Sequence, residues 1–355
     1  MKAISVIIPA YNCKKYLESS VSSAASVNAY CKNAFIREII LVDDGSTDGS
    51  SELCDLIADK LSNDICSIQV IHQTNSGVSA ARNRGLREST GDYVLFMDSD
   101  DTVDPEKLAV LIDTISRDAS IDMAVYGLSF DYYSGYRIYR KDEILPPVEG
   151  VRSFDECSQM MYSLYKCNML SPLWNKLIRR SVLEEAGLRL REDMFLYEDL
   201  EFSLRAMAEC RKFYFCTEAI YRYRQAADEG NAGRRLKRIA HIADIVDKIE
   251  DALAPFEGAD GILPALYLVL AREKIGCASR KETDIICADF RDWIDRHGFR
   301  DRIEKSEYGK LLYNKQSRKL IAKRRNTRIR HCLANIAKKT FGDFRSWQTE
   351  AHRGR

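Results

Sequence analysis

Apolar positions in the first third of the chain come in short runs separated by amphipathic stretches. Residues 4–8 are apolar and β-branched except for Ser5, the pattern of a strand buried on both faces. Residues 13–27 carry helical spacing; 38–42 predict a second strand, 50–61 a helix, 67–72 a third strand and 77–88 a helix. A fourth strand is expected at 93–97, a helix opened by Pro105 at 105–116, and a fifth strand at 121–126. This rhythm predicts an α/β fold, a mostly parallel sheet with helices on both faces. The polar residues fall in a systematic place. Residues 9–12, Asp43-Asp44 and 98–101 each follow the C-terminal end of a predicted strand. In a parallel sheet those ends share one edge, where ligands bind.

The middle third is mixed. Residues 132–139 place aromatics at strand-like spacing, 153–165 and 200–209 read as helices, and 213–215 and 219–223 as short strands. The polar, two-glycine stretch 225–233 predicts a flexible loop. From residue 234 the pattern is helical, with Pro255, Gly261, Pro264 and Gly276 as expected breaks. The expected division is a first domain at 1–225 and a mainly helical region at 226–355.

Composition narrows the class. Of 355 residues, 45% are hydrophobic and 30% charged, as in globular proteins. A formal net charge of +1 supplies no overall basic field for nucleic acid, and none is expected as a partner. The balance is uneven, however. Residues 310–355 hold fourteen Lys or Arg against two Asp or Glu, so the remainder is acidic. Eleven cysteines include no CxxC pair and no zinc spacing, which suits buried thiols in a reducing compartment. The first apolar run meets Pro9 at once, too short for a signal peptide, and no long uncharged apolar stretch predicts a membrane span. A cytoplasmic location is expected.

The candidate chemistry begins at Asp98-Ser99-Asp100-Asp101. Three carboxylates in four residues repel one another, and a hard divalent cation is their natural partner. Alternatively one acid caps the following helix and the rest face water; Asp104, just before Pro105, suits the cap. In 42–50, an Asp after a strand can accept from a ribose hydroxyl or a base N–H, or the segment is a polar turn capped by Asp48 or Ser50. In 73–85, Gly77 permits close approach to a ligand and Ala80-Ala81 keep a helix thin against the sheet. Arg82 can offer a fork of donors to phosphate or to the acids, or lie exposed on its helix. Tyr11 can stack on a base or fill the core. Glu198-Asp199 open a predicted helix, where carboxylates are stabilised in any case; one of them is a candidate general base. Trp174 can stack on a sugar, and Lys176 can meet a diphosphate or cap a carbonyl. Neither a GxGxxG nor a GxxxxGK[ST] phosphate loop is present, so phosphates need another counter-charge.

Six segments in order resemble the family-2 glycosyltransferases. They are Ser5-Val6-Ile7-Ile8-Pro9-Ala10-Tyr11-Asn12, Val42-Asp43-Asp44-Gly45-Ser46-Thr47-Asp48, Asn75-Ser76-Gly77-Val78-Ser79-Ala80-Ala81-Arg82-Asn83, Asp98-Ser99-Asp100-Asp101, Trp174-Asn175-Lys176 and Glu198-Asp199. The resemblance covers residues 3 to 225 and implies the GT-A fold, with a nucleotide-sugar-binding half at 1–126 and an acceptor half at 127–225. It implies that Pro9, Tyr11 and Asp44 bind the nucleobase. Asn12, Asp43, Asn75, Gly77, Arg82, Ser99, Trp174 and Lys176 join the donor site. Asp98 corresponds to the first acid of the DxD motif and Asp100 to the direct ligand of Mn2+ or Mg2+. Asp199 corresponds to the catalytic base, with Glu198 supporting it or acting instead. The implied reaction is inverting single displacement from a nucleoside-diphosphate sugar, with UDP favoured, onto an oligosaccharide or undecaprenyl-linked acceptor during bacterial surface-polysaccharide synthesis. Two other classes stand beside it: a sugar nucleotidyltransferase and a non-catalytic glycan- or nucleotide-binding module.

No motif reaches beyond residue 226. Residues 320–339 interleave Ile321, Ile329, Leu333 and Ile336 with basic residues. That pattern fits a basic amphipathic helix on the anionic inner leaflet, or a docked helix with a solvated basic side.

Overall fold

The computed structural model describes residues 1–134, 137–226, 242–303, 306–314 and 320. The chain divides into two compact units, Met1–Glu229 with Ala252–Gly258, and Gly230–Asp251 with Ala259–Arg355.

The first unit opens with β1 (Lys2–Ala10), α1 (Leu17–Ala25), β2 (Ala34–Asp43), α2 (Ser50–Leu61), β3 (Ser67–His72), α3 (Val78–Glu88) and β4 (Tyr93–Phe96). It continues with β5 (Thr102–Val103), α4 (Pro105–Ser116), β6 (Met123–Ser134), β7 (Arg137–Ile144) and β8 (Gly150–Ser153). Then come α5 (Phe154–Gln159), α6 (Met161–Lys166), β9 (Lys176–Arg179), α7 (Arg180–Glu185), α8 (Glu198–Ala208) and β10 (Lys212–Ala226). One ten-stranded sheet runs β3-β2-β1-β4-β9-β6-β10-β5, with β7 on β6 and β8 on β10. This is the GT-A architecture expected.

The apolar run of β1 is explained by its place. It lies parallel between β2 and β4, and every residue from Ala3 to Ala10 is buried. Pairing of β2, β1 and β4 brings Ala10, Asp43 and Met97 towards one sheet edge. The α3 helix lies close on this sheet, with Ala81 packed on Ile40 and Val42. A Cβ at Gly85 would stand 2.4 Å from Ile7 Cγ2, so only glycine allows the approach. That closeness carries Arg82 to the strand ends.

Beyond β4 the sheet is mixed. The β9 strand runs antiparallel to both β4 and β6, while β10 is parallel to β6. Several expected boundaries change. The fifth strand extends to Ser134, and the aromatic stretch 132–139 splits between β6 and its antiparallel neighbour β7. The helix expected at 153–165 is two short helices that meet at Met160, whose backbone serves as cap to both. The two short strands expected at 213–215 and 219–223 are one strand, β10. Its register shifts between Cys216 and Tyr221, which breaks the alternation that sequence reading relies on. Gln225 and Ala226 complete β10 rather than opening a loop, and 227–233 lie outside the described residues.

The C-terminal helices are α9 (Ala243–Leu253), α10 (Ile262–Cys277), α11 (Arg280–His297), α12 (Arg300–Ile303) and α13 (Glu307–Tyr313). Pro264 does not break α10; it sits in the first turn, where its missing N–H costs nothing. Gly276 likewise lies within α10, and Gly261 is its left-handed cap. Tyr267, Phe290 and Trp293 form a buried aromatic group with centroids 5.1 and 5.0 Å from Tyr267. No helix among the described residues is long and apolar enough to cross a membrane. Of the basic stretch 320–339, all but Leu320 lies outside the described residues.

Candidate active site

The site is organised around Arg82. It projects from the second turn of α3, is 4% exposed, and makes two charge-assisted bonds. One Nη donates to Asp199 Oδ1 and the other to Asp98 Oδ1, each at 2.8 Å. The guanidinium thus joins the acid at the end of β4 to an acid in the first turn of α8, 117 residues apart in sequence for Asp199. Its Nε is buried without a hydrogen-bond partner among the described residues. Burial works against the charge on Arg82, but Asp199, Asp98 and Glu198 outweigh it and raise its pKa.

Asp199 responds in the opposite sense. Burial pushes its carboxyl up to about 7; Glu198 and Asp98 add to this, and Arg82 and Lys176 oppose it. Its side chain is 29% exposed, so it remains reachable from solvent. The helix entry is unusual: Tyr197 takes a left-handed conformation at φ 62°. That turn starts α8 with Glu198 and Asp199 in its first turn, Glu198 buried at 6% exposure.

The acidic segment splits by direction. Asp98, Ser99 and Asp100 are half-buried, whereas Asp101 is 1% exposed. Asp101 accepts from the Tyr221 hydroxyl at 2.9 Å and from the Arg224 backbone N–H at 2.7 Å. Burial, then the Asp100 and Asp98 charges, raise its pKa well above the usual carboxylate range. Asp104 is the helix cap, accepting from Lys107 N and from Arg222.

The remaining predicted residues sort into two groups. Near the strand ends, Pro9 is buried and Tyr11 is 52% exposed. Asn12, at φ 49°, donates its N–H to Ser46 Oγ and accepts from Thr47 N, tying the end of β1 to the loop after β2. Asp44 accepts from Gln73 Nε2, Ser76 N and Gly77 N, all at 2.8 Å. Its carboxylate therefore fixes the 75–77 loop, with Asn75 and Gly77 exposed upon it. Gly45 completes the turn: at φ 74° a Cβ there would stand 2.9 Å from Asn75 N. Asp43 holds Ser46 N and pairs with His72 Nδ1 at 3.0 Å. Burial works against its charge, but those hydrogen bonds lower its pKa.

Lys176 and Trp174 form the second group. The Lys176 amine is fully buried and donates to the carbonyls of Met169, Leu170 and Pro172 and to Asn175 Oδ1. Carbonyl capping is what the structure shows, and the amine is not at the surface to meet a diphosphate. Burial lowers its pKa to about 7 against the opposing pull of Asp199. Trp174 is 7% exposed and stacked 4.2 Å from the Tyr221 ring, which covers that face against any sugar. Sequence reading missed Tyr221, Arg224 and His72. Tyr221 and Arg224 sit on the irregular β10, with no motif to flag them.

The pattern described as Glycosyl transferase family 2 matches residues 5–187. A cholesterol galactosyltransferase of Borreliella burgdorferi is 34% identical over 224 residues, 61% of this chain and 59% of that protein. The uncharacterized glycosyltransferase EpsJ of Bacillus subtilis is 30% identical over 62% of this chain and 61% of its own length. The match thus spans about three fifths of these curated relatives. Among solved structures, S. aureus TarS 1–349 in complex with UDP superposes with a TM-score of 0.51 at 19% identity, covering 93% of both chains. At that identity the likeness speaks for the fold alone.

Proposed function

The chain belongs to glycosyl transferase family 2, and from that premise we propose that it transfers a sugar from a nucleoside-diphosphate sugar to an acceptor hydroxyl with inversion. The observation that carries the proposal is the Arg82 guanidinium bonded at 2.8 Å to both Asp98 and Asp199. It supports a reading in which a candidate base stands beside the acids suited to a diphosphate's counter-ion, two functions that one displacement needs together.

Asp199 accepts the acceptor's hydroxyl proton as the oxygen bonds to the anomeric carbon. The bond from that carbon to the diphosphate oxygen breaks, and the nucleoside diphosphate leaves. A carboxyl held near 7 suits this task, because a base works best with a pKa close to the working pH. Arg82 orients Asp199 and opposes the upward push that burial gives its carboxyl. Glu198 raises Asp199 and stands as the alternative base.

The donor set fits a divalent ion. Asp98 and Asp100 offer hard oxygens at a half-buried strand end, and the charges of Asp98 and Asp100 burden Asp101, as Asp98 and Glu198 burden Asp199. Mn2+ or Mg2+ held by Asp100, with Asp98 beside it, would supply counter-charge to the leaving diphosphate. Tyr11, Asn12, the Asp43–Asp44 turn and the 75–77 loop are proposed to border the nucleoside. UDP is the favoured nucleotide, as the family resemblance implies. A glycan or lipid-linked glycan is the proposed acceptor, at the cytoplasmic face of the membrane. The sterol in the name of the Borreliella relative supports an acceptor hydroxyl carried in a membrane.

A nucleotide-sugar panel with Mn2+ tests the reading. Metal-dependent release of nucleoside diphosphate, stimulated by acceptor and lost in Asp100→Ala, is expected. Pyrophosphate formation from a sugar phosphate and a nucleoside triphosphate would point to a nucleotidyltransferase instead. Donor binding without turnover would point to a silent module.

A further inference from the structure

The acidic segment has a second support, which comes from β10 rather than from α3. Tyr221 is fully buried, and its hydroxyl makes two bonds of opposite sense. It accepts from the Asp98 backbone N–H at 3.0 Å and donates to Asp101 Oδ2 at 2.9 Å. Asp101 Oδ1 then accepts from Arg224 N at 2.7 Å, three residues beyond Tyr221 on the same strand. The Arg224 Nε returns to the Asp100 carbonyl at 3.0 Å. Its guanidinium lies 4.5 Å from the Tyr16 ring centroid and 4.3 Å from that of Tyr133. The Tyr221 ring is itself fixed by stacking on Trp174. The backbone of Asp98, the side chain of Asp101 and the carbonyl of Asp100 are thus all held from one strand.

We propose that Tyr221 is a positioning residue whose hydroxyl, acting with Asp101 and Arg224, sets the Asp98–Asp100 turn so that the two carboxylates can hold the divalent ion. This rests on the metal reading given under Proposed function. The chemistry explains the residue types. Asp98 and Asp100 repel each other, and a turn free to relax would carry them apart. A hydroxyl can donate and accept at once, so it ties the Asp98 amide to the inward-turned Asp101. Asp101 is thereby committed to the frame, and the ligand duty falls on its neighbours. Phenylalanine keeps the ring and its stack on Trp174 but deletes both bonds.

The test is Mn2+ binding, followed by the electron paramagnetic resonance signal of free Mn2+, with UDP, GDP, CDP and dTDP present in turn. It compares the wild type with Tyr221→Phe and Tyr93→Phe. Tyr93 is a control of the same kind: a fully buried ring whose hydroxyl donates to the Ile121 carbonyl at 2.6 Å. Binding weakened about tenfold in Tyr221→Phe and unchanged in Tyr93→Phe is expected, the loss of one net hydrogen bond's worth of orientation. In turnover, the half-saturating Mn2+ concentration should rise by a similar factor, while kcat at saturating Mn2+ falls far less. General destabilisation would not produce that split. Equal Mn2+ affinity in wild type and Tyr221→Phe overturns the positioning role and leaves the metal reading intact. Equal weakening in both variants also overturns it. Failure of the wild type to bind Mn2+ with any of the nucleotides overturns both.

Discussion

Replacing Arg82 with Met removes a cation bonded to both Asp98 and Asp199. Asp199 stands at about 7 with the pull of Arg82 included, so removing the guanidinium must raise it further. A unit charge at about 4 Å with an effective dielectric constant of about 20 contributes roughly 4 kcal/mol. At about 1.4 kcal/mol per unit that is an upper bound of about three pKa units. The Asp199 side chain is 29% exposed, and solvent screening brings the expected shift to about one unit. A general base must be unprotonated, so the acid limb of the kcat/KM profile should move from near 7 to about 8 or above. Activity at neutral pH falls and is partly restored by alkali. Arg82→Lys keeps the charge but not the fork, and should shift the limb by less. The assay is nucleoside diphosphate release across pH at saturating Mn2+. A limb in Arg82→Met that stays within about 0.3 unit of the wild type would refute the electrostatic link between Arg82 and Asp199.

Other consequences can be measured separately. Lys176→Met should remove the Lys176 donor from three buried carbonyl oxygens, destabilise the fold by about 2–4 kcal/mol and lower Tm by roughly 5–10 °C, while donor affinity measured by titration stays the same. A rise in donor Kd with Tm unchanged would return Lys176 to the diphosphate. His72 is raised above 6.5 chiefly by its hydrogen bond to Asp43. Its contribution to stability is fully present below 6.5 and is lost as pH rises through the folded value, so His72→Gln should flatten the dependence of Tm on pH in that window. For the basic region 310–355, sedimentation with anionic vesicles should retain the full chain and lose one that ends at residue 309. Equal retention of both would reject membrane contact through this region.

Much of the first unit was legible because its chemistry is local. The strand at β1 announces itself through an apolar, β-branched run interrupted only by Ser5, and Asp98 and Asp199 stand in compact motifs. The helices α2 and α4 begin and end at their expected residues, marked by Asp48 before Ser50 and by Asp104 before Pro105. What escaped depends on long-range pairing. The strand β5 is two residues long and exists because Tyr221 and Arg222 pair with it. The strand β10 hides its length behind register shifts, and with it the roles of Tyr221 and Arg224. Lys176 and Trp174 were found as a motif, but their direction was not readable. Whether an amine faces a phosphate or a ring of carbonyls is decided by burial, which no local pattern encodes.

In the proposed reaction Asp199 removes the acceptor proton while other groups hold the donor. Asp199→Asn tests it most directly, with UDP affinity by calorimetry and sugar transfer measured on the same sample. Donor binding within about twofold of the wild type and transfer reduced by about 10²-fold or more are expected. Transfer at the wild-type rate would contradict it.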